Sequence, residues 1–337
     1  MASRIRKIIF FLFVLFLGLL IPFCVHLGKP VSAISPIINI EKGMSLRQIS
    51  HVLEEQRIVS NGWFFLLYAH LRGKGESIKA GEYDFSETSS PRQVLKRLVK
   101  GLVRTYPIQI VEGWSLTEIA RSITATGPNR DPTFIAEFSK LTRDKNFITS
   151  LGLSVNSLEG YLFPDTYNFN RQETPRDYLR TFVEEFKRNY SALLDEEKPK
   201  TFLNQHQIVT LASIIEKETG KEEERPIVAS VFYNRLKIGM PLQSDPTIIY
   251  GLKNFDGNIR KKDILNPHPY NTYVHRGIPP GPIASPGKNS LRAALFPATT
   301  TYLYFVSRND GTHHFSSTGA EHVKAVQKYQ SRRGNGN

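Results

Sequence analysis

The sequence predicts a mixed α and β protein of about two domains, carried on a single N-terminal transmembrane helix. Three observations lead there. The chain has 337 residues, roughly two domains at ~100–200 residues each. Hydrophobic residues make up 40% and charged residues 22%, which is enough apolar material for a packed core and too much for a disordered chain. Residues 8–25, IIFFLFVLFLGLLIPFCV, carry no charge and come close to the ~20 positions a helix needs to cross a bilayer.

Taken in order, Arg4, Arg6 and Lys7 precede that run. The positive-inside rule therefore puts the N-terminus in the cytoplasm and everything after His26 outside it. Val31-Ser32-Ala33 is a passable signal-cleavage site, but the apolar run exceeds the ~7–15 residues of a signal core. Pro22-Phe23 before Cys24 is the wrong chemistry for a lipoprotein. An uncleaved anchor is expected over 8–27, after a short tail at 1–7 and before a Pro/Ser/Gly linker at 28–36. Ser45 followed by Gln48 forms a capping box that opens a helix with Leu46, Ile49, Val52 and Leu53 on one stripe. A second helix is expected at 63–71, and IKAGEYDFS alternates like a strand. Ser90 caps a third helix, with Pro91 at its first position.

Further on, 103–113 is strand-like, and 134–141 and 178–190 are helical. Beyond Pro199 the pattern is helix, acidic turn, helix, loop, then a short helix or strand. A Pro/Gly-rich extended loop occupies 267–286. SLRAALFPA is a short helix, TYLYFVSR a strand, and HHFSSTGAEHVKAVQKYQ a strand and the last helix. Residues 331–337 form a frayed tail.

Two segments admit two readings each. The start of the first soluble helix, Gly43-Met44-Ser45-Leu46, recurs as Gly113-Trp114-Ser115-Leu116, and Ser115 with Glu118 repeats the capping box. Either two helices share good local chemistry, or these are strand–turn–helix units similar to LysM modules, which bind N-acetylglucosamine polymers. SLEGYLFPDTYNF carries Tyr161, Phe163, Tyr167 and Phe169, which either pack in the core or form a wall on which sugars stack.

The formal net charge of +13 favours a polyanionic partner, and a body outside the cytoplasm disfavours nucleic acid in that role. A single cysteine excludes an internal disulfide framework and a cysteine-based zinc cluster. No Gly-x-Ser-x-Gly elbow, phosphate-cradling glycine loop or His-Glu-x-x-His is present. His313, His314 and His322 lack metal-ligand spacing, and no lysine sits in an apolar run suited to Schiff-base chemistry. No metal and no cofactor are expected.

The helix predicted over 207–219 carries the most distinctive signal. Its apolar residues are Ile208, Leu211, Ile214 and Ile215. At about 100° per residue Glu218 lies roughly 20° from Leu211, and Glu216 about 200° from Glu218. Only Glu218 is then expected to face the buried side, where desolvation raises a carboxyl toward the range a general acid needs. The bland alternative is a helix-end glutamate paired with Arg225, Arg235 or Lys217. Glu222, Glu223 and Glu224 read as a solvated turn, and Asp245 as a cap or turn former.

LASIIEKETGKEEERPIVASVFYNRLKIGMPLQSDPTIIYGL, then PYNTYVHRGIPPGPIASPGKNSLRAALFPATTTYLYFV, together with EGYLFPDTY and the N-terminal anchor, resemble the endolytic murein transglycosylase (YceG-like) family over nearly the whole chain. The resemblance implies an α+β fold: an anchor, a LysM-like subdomain at 37–105 and a catalytic domain at 106–330. It also implies that Glu218, the second glutamate of I-I-E-K-E-T, is the catalytic acid. The implied reaction cleaves the β-1,4 bond between N-acetylmuramic acid and N-acetylglucosamine in nascent peptidoglycan and leaves a 1,6-anhydro end. Because the nucleophile comes from the sugar, one carboxyl group does the work of the usual pair. Asn234, Gln243, Asp245, Thr247, Tyr250, Asn271 and Tyr273 are expected to shape the substrate groove. Implied partners are peptidoglycan strands and, beside them at the inner membrane, peptidoglycan synthases, with the catalytic domain periplasmic. The rivals are a non-catalytic glycan-binding scaffold and a hydrolase whose water is activated by Asp245. The family's occasional pyridoxal phosphate label has no motivated lysine here.

Overall fold

The computed structural model describes residues 2–30, 36–87, 89–252 and 254–330. The Val31-Ser32-Ala33 site and the tail at 331–337 lie outside the described residues. The chain divides into two compact units, Met1–Tyr106 with Asn168–Gln172, and Pro107–Tyr167 with Glu173–Asn337.

The first unit opens with α1 (Ala2–Gly28), of which Ile5–Gly28 is long and apolar enough to cross a membrane. Its apolar side chains are largely exposed, and so is Cys24, the one cysteine. At its end Phe23 and His26 meet Phe64 edge-on at 5.8 and 5.3 Å. Then come β1 (Ile37–Ile40), α2 (Leu46–Glu55), α3 (Gly62–Leu71), β2 (Gly81–Asp84) and α4 (Pro91–Lys100). The strands β1 and β2 pair antiparallel with Ile37 opposite Asp84 and Ile40 opposite Gly81. Period-two alternation sends Ile38 and Ile40 inward, where they meet Ile49, Leu53, Phe65, Val94 and Leu98. The expected capping box of Ser45 with Gln48 is formed, and Ser90, expected as a cap, forms a box of its own with Gln93.

Beyond α4 the chain runs β3 (Tyr106–Gln109), α5 (Leu116–Thr126), α6 (Pro132–Leu141), α7 (Lys145–Ser150), β4 (Thr166–Phe169) and α8 (Pro175–Glu196), Tyr106 and Asn168–Phe169 belonging to the first unit and the rest to the second. It continues with α9 (Gln205–Glu218), α10 (Arg225–Lys237), α11 (Asp245–Gly251), α12 (Lys261–Ile264), α13 (Lys288–Leu295), β5 (Tyr304–Ser307), β6 (His313–Ser316) and α14 (Gly319–Gln330). The strands β3 and β4 form a two-stranded sheet; β5 and β6 form an antiparallel hairpin, Tyr304 opposite Ser316 and Ser307 opposite His313. At the centre lies α9, packed by α10, α11 and α13, with every residue from Ile208 to Ile215 buried.

The Gly-x-Ser echo is a real local repeat. Gly43 (φ +93°) and Gly113 (φ +79°) both turn the chain through the left-handed region, which a residue with a Cβ enters at a cost of about 1 kcal/mol or more. Ser115 and Glu118 complete the capping box of α5.

The aromatic segment resolves the other way. Tyr161, Phe163, Tyr167 and Phe169 are all buried. They belong to the core and offer no wall to a sugar. Gly160 sits in this turn at φ +81°, and a Cβ there would lie 2.4 Å from Pro282 Cβ.

Candidate active site

Glu218 is the last helical residue of α9, and Thr219 is its C-cap. Its side chain is partly open to a cavity of about 460 Å³ that Arg235, Gln243, Asp245, Tyr273 and Tyr304 also line. Ser244 Oγ donates a hydrogen bond to Glu218 Oε1. Burial raises the carboxyl to about 7; the Ser244 hydroxyl opposes the rise, the Asp245 carboxylate adds to it, and the Arg235 guanidinium opposes it least. Among the described residues Glu218 forms no salt bridge, and Arg225, one of the three cations the alternative reading would pair it with, is engaged elsewhere.

That engagement corrects the helical-face argument. Glu216 is 5% exposed and pairs with Arg225, 6% exposed, at 2.9 Å, while Gly287 N donates to its other oxygen at 2.9 Å. Periodicity placed Glu216 opposite Glu218 and therefore outside. It is buried because α9 is enclosed by helices on more than one face, so its opposite side is interior too. The two carboxyls differ in their company: Glu216 has a cation, Glu218 a hydroxyl and a cavity.

The acidic turn also departs from expectation. Glu224 is buried; it accepts from His313 N at 2.8 Å, pairs with His313 Nδ1 at 2.7 Å, and takes a bond from Thr219 Oγ1 at 3.2 Å. The turn after α9 is thereby tied to β6, and the hairpin becomes a wall of the cavity, contributing Tyr304, Phe305 and His313.

Arg235 on α10 is buried, donating Nε to Leu303 O at 2.7 Å and a terminal nitrogen to Leu242 O at 2.6 Å. It lies under the Tyr304 ring, 5.6 Å from its centroid, and Tyr304 stacks on His322 at 5.0 Å. Burial and then Arg235 hold the His322 imidazole below its ordinary range. Arg235 thus places a guanidinium beside the cavity that Glu218 borders.

The other expected groove residues fall into two sets. Gln243, Asp245 and Tyr273 share the cavity with Glu218. Tyr273 donates its hydroxyl to Asp245 Oδ1 at 2.6 Å, and Gln243 adopts φ +49°, a conformation costing about 1–3 kcal/mol that persists where surroundings impose it. Asn234, Thr247, Tyr250 and Asn271 do not line it. Asn234 Nδ2 donates to Thr300 O and Tyr302 O, and Thr247 Oγ1 to Ser244 O. Asn271 Nδ2 reaches three main-chain carbonyls, the shortest at 2.7 Å to Asn266. Tyr250 donates to Glu159 Oε2 at 3.1 Å, in a different cavity. The sequence reading did not single out Ser244, nor Arg235 for the cavity, because neither carries a local signal. Both reach Glu218 only through the tertiary packing of α10 and α11 on α9.

The chain is an enzyme by its relationships. Residues 38–328 match the model described as the YceG-like family, and the chain belongs to that family. It is 34% identical to the endolytic murein transglycosylase of Bacillus subtilis (strain 168), covering 87% of this chain and 84% of that one. It is 29% identical to the endolytic murein transglycosylase of Streptococcus pneumoniae serotype 2, over 87% of this chain and 58% of the longer relative. The crystal structure of a yceG-like protein from Listeria monocytogenes aligns with a TM-score of 0.58 at 32% identity, covering 86% of this chain and 97% of that chain.

Proposed function

We propose that this chain is a membrane-anchored endolytic murein lytic transglycosylase in which Glu218 alone serves as acid and then base. The observation that carries the reading is a desolvated carboxyl, raised to about 7, at the mouth of a polar cavity. Near neutral pH it is protonated often enough to donate to the glycosidic oxygen and ionised often enough to accept afterwards. The muramyl 6-hydroxyl then closes on its own anomeric carbon, giving up its proton to Glu218. Ser244 and Arg235 steady the carboxylate between the two steps.

Under the same proposal α1 is a single-pass anchor that holds the enzyme beside nascent strands and their synthases, with the body outside the cytoplasm. The β1–α2–α3–β2 arrangement supports reading residues 37–105 as a LysM-like, glycan-binding subdomain. A second reading has one observation in its favour: Asp245 faces the same cavity as Glu218, so a water activated there would make the enzyme a hydrolase. Mass spectrometry of defined glycan strands separates the cases. Anhydro ends from the wild type and no cleavage by Glu218→Gln are expected. Reducing ends would establish the hydrolase, and full activity in Glu218→Gln would overturn the acid assignment.

A further inference from the structure

The second unit holds another, larger cavity of about 720 Å³, bordered by α5, α11 and the residue before Glu218 on α9, Lys217. Three cations stand on its rim: Arg121, Arg143 and Lys217. Lys217 reaches Gly113 O at 3.2 Å; none of the three forms a salt bridge among the described residues, and all are exposed. The cavity has two carboxyls, and both are committed. Glu118 accepts from Ser115 N and Oγ at 2.7 Å each. Glu159 accepts from Leu116 N at 2.9 Å and from Tyr250, and its burial raises it to about 7 despite Arg143 nearby. The charge left over at the rim is positive. One side is aromatic: Tyr250 and Tyr270 lie 4.8 Å apart, and His268 is 5.7 Å from Tyr270.

We infer that this cavity binds the carboxylate-bearing peptide substituent of a murein strand, with Arg121 and Arg143 as its anion-recognising groups and the Tyr250–Tyr270 pair as its apolar floor. The inference rests on the murein substrate proposed above and deepens it. The sugars of such a strand are neutral, and the lactyl carboxyl of muramic acid is spent in the amide that joins the peptide. The free anions are therefore on the peptide. A cationic, aromatic-lined cavity is matched to that part of the polymer and not to its sugars. Adjacency in the chain supports the pairing, since Lys217 borders this cavity and Glu218 the other, while α11 gives Asp245 to one and Pro246, Ile249 and Tyr250 to the other.

The test compares cleavage of strands that keep their peptides with strands stripped of them, in the full-length enzyme and in Arg121→Ala/Arg143→Ala. The ratio of the two rates is independent of how much of a preparation is folded. It is expected to fall about tenfold or more, the loss of a charge-assisted contact; an unchanged ratio overturns the inference. A second measurement needs no activity: calorimetric titration of the Glu218→Gln protein with a synthetic stem peptide and with the same peptide amidated at its carboxyls. Binding of the free acid alone supports the site. Equal binding of both, or of neither, overturns it. If the wild type cleaves no strand at all, the proposed reaction fails and the titration alone decides the binding site.

Discussion

Two glutamates two positions apart on α9 have different chemistry. Glu218 meets a hydroxyl and open space; Glu216 meets a guanidinium and a backbone amide. Replacing Glu218 by Gln keeps the shape and removes the proton, so cleavage should drop about 10²–10⁴-fold while the melting temperature holds. A large loss of stability instead would mark Glu218 as structural. Ser244→Ala removes the bond that favours the carboxylate, so the Glu218 pKa rises further. The alkaline fall in the rate expected near pH 7 for the wild type should then move to higher pH; a profile that stays put would separate Ser244 from the proposed acid. At this scale the sequence showed Glu218 on the apolar stripe. It could not show Ser244, whose contact is set by how the loop before α11 closes.

Among elements, the local signals were the readable ones. Serine caps at Ser45, Ser90 and Ser115 announced three helices because capping chemistry acts within three residues. What periodicity missed is enclosure: α9 is packed on more than one face, so the Glu216 side chain is interior too, while Glu224, in the turn beyond α9, is buried by its bonds to Thr219 and His313. The aromatic run at 157–169 was ambiguous for the same reason, since composition does not say which side faces water. Glu216→Gln leaves Arg225 buried with a weaker partner, and the expected cost is up to about 3–5 kcal/mol, read as a lowered denaturant midpoint. Any activity that remains should scale with the folded fraction. The outcome for Gly160→Ala is similar: φ +81° and the approach of Pro282 make it destabilising by about 1–3 kcal/mol.

For the molecule entire, Glu159 and Glu218 give stability a particular pH dependence. Each holds its proton in the folded state up to about 7, whereas the unfolded chain releases it near the ordinary 4.5. The folded state binds more protons in that window, so these groups lower the unfolding free energy as pH rises from about 4.5 to 7. Glu159→Gln should flatten that decline relative to wild type, and urea titrations at several pH values would show it; an unaltered slope would mean the carboxyl is not shifted. Length suggests about two domains but not that residues 168–172 belong with the first unit, because nothing local marks a strand that changes company. The lone sulfhydryl, Cys24, lies exposed in α1, so no disulfide can form within the chain, and neither compact unit depends on an oxidant to reach its native state or can be loosened by a reductant. Dithiothreitol should leave its melting curve untouched, and a version begun after α1 should fold equally well under reducing and oxidising conditions.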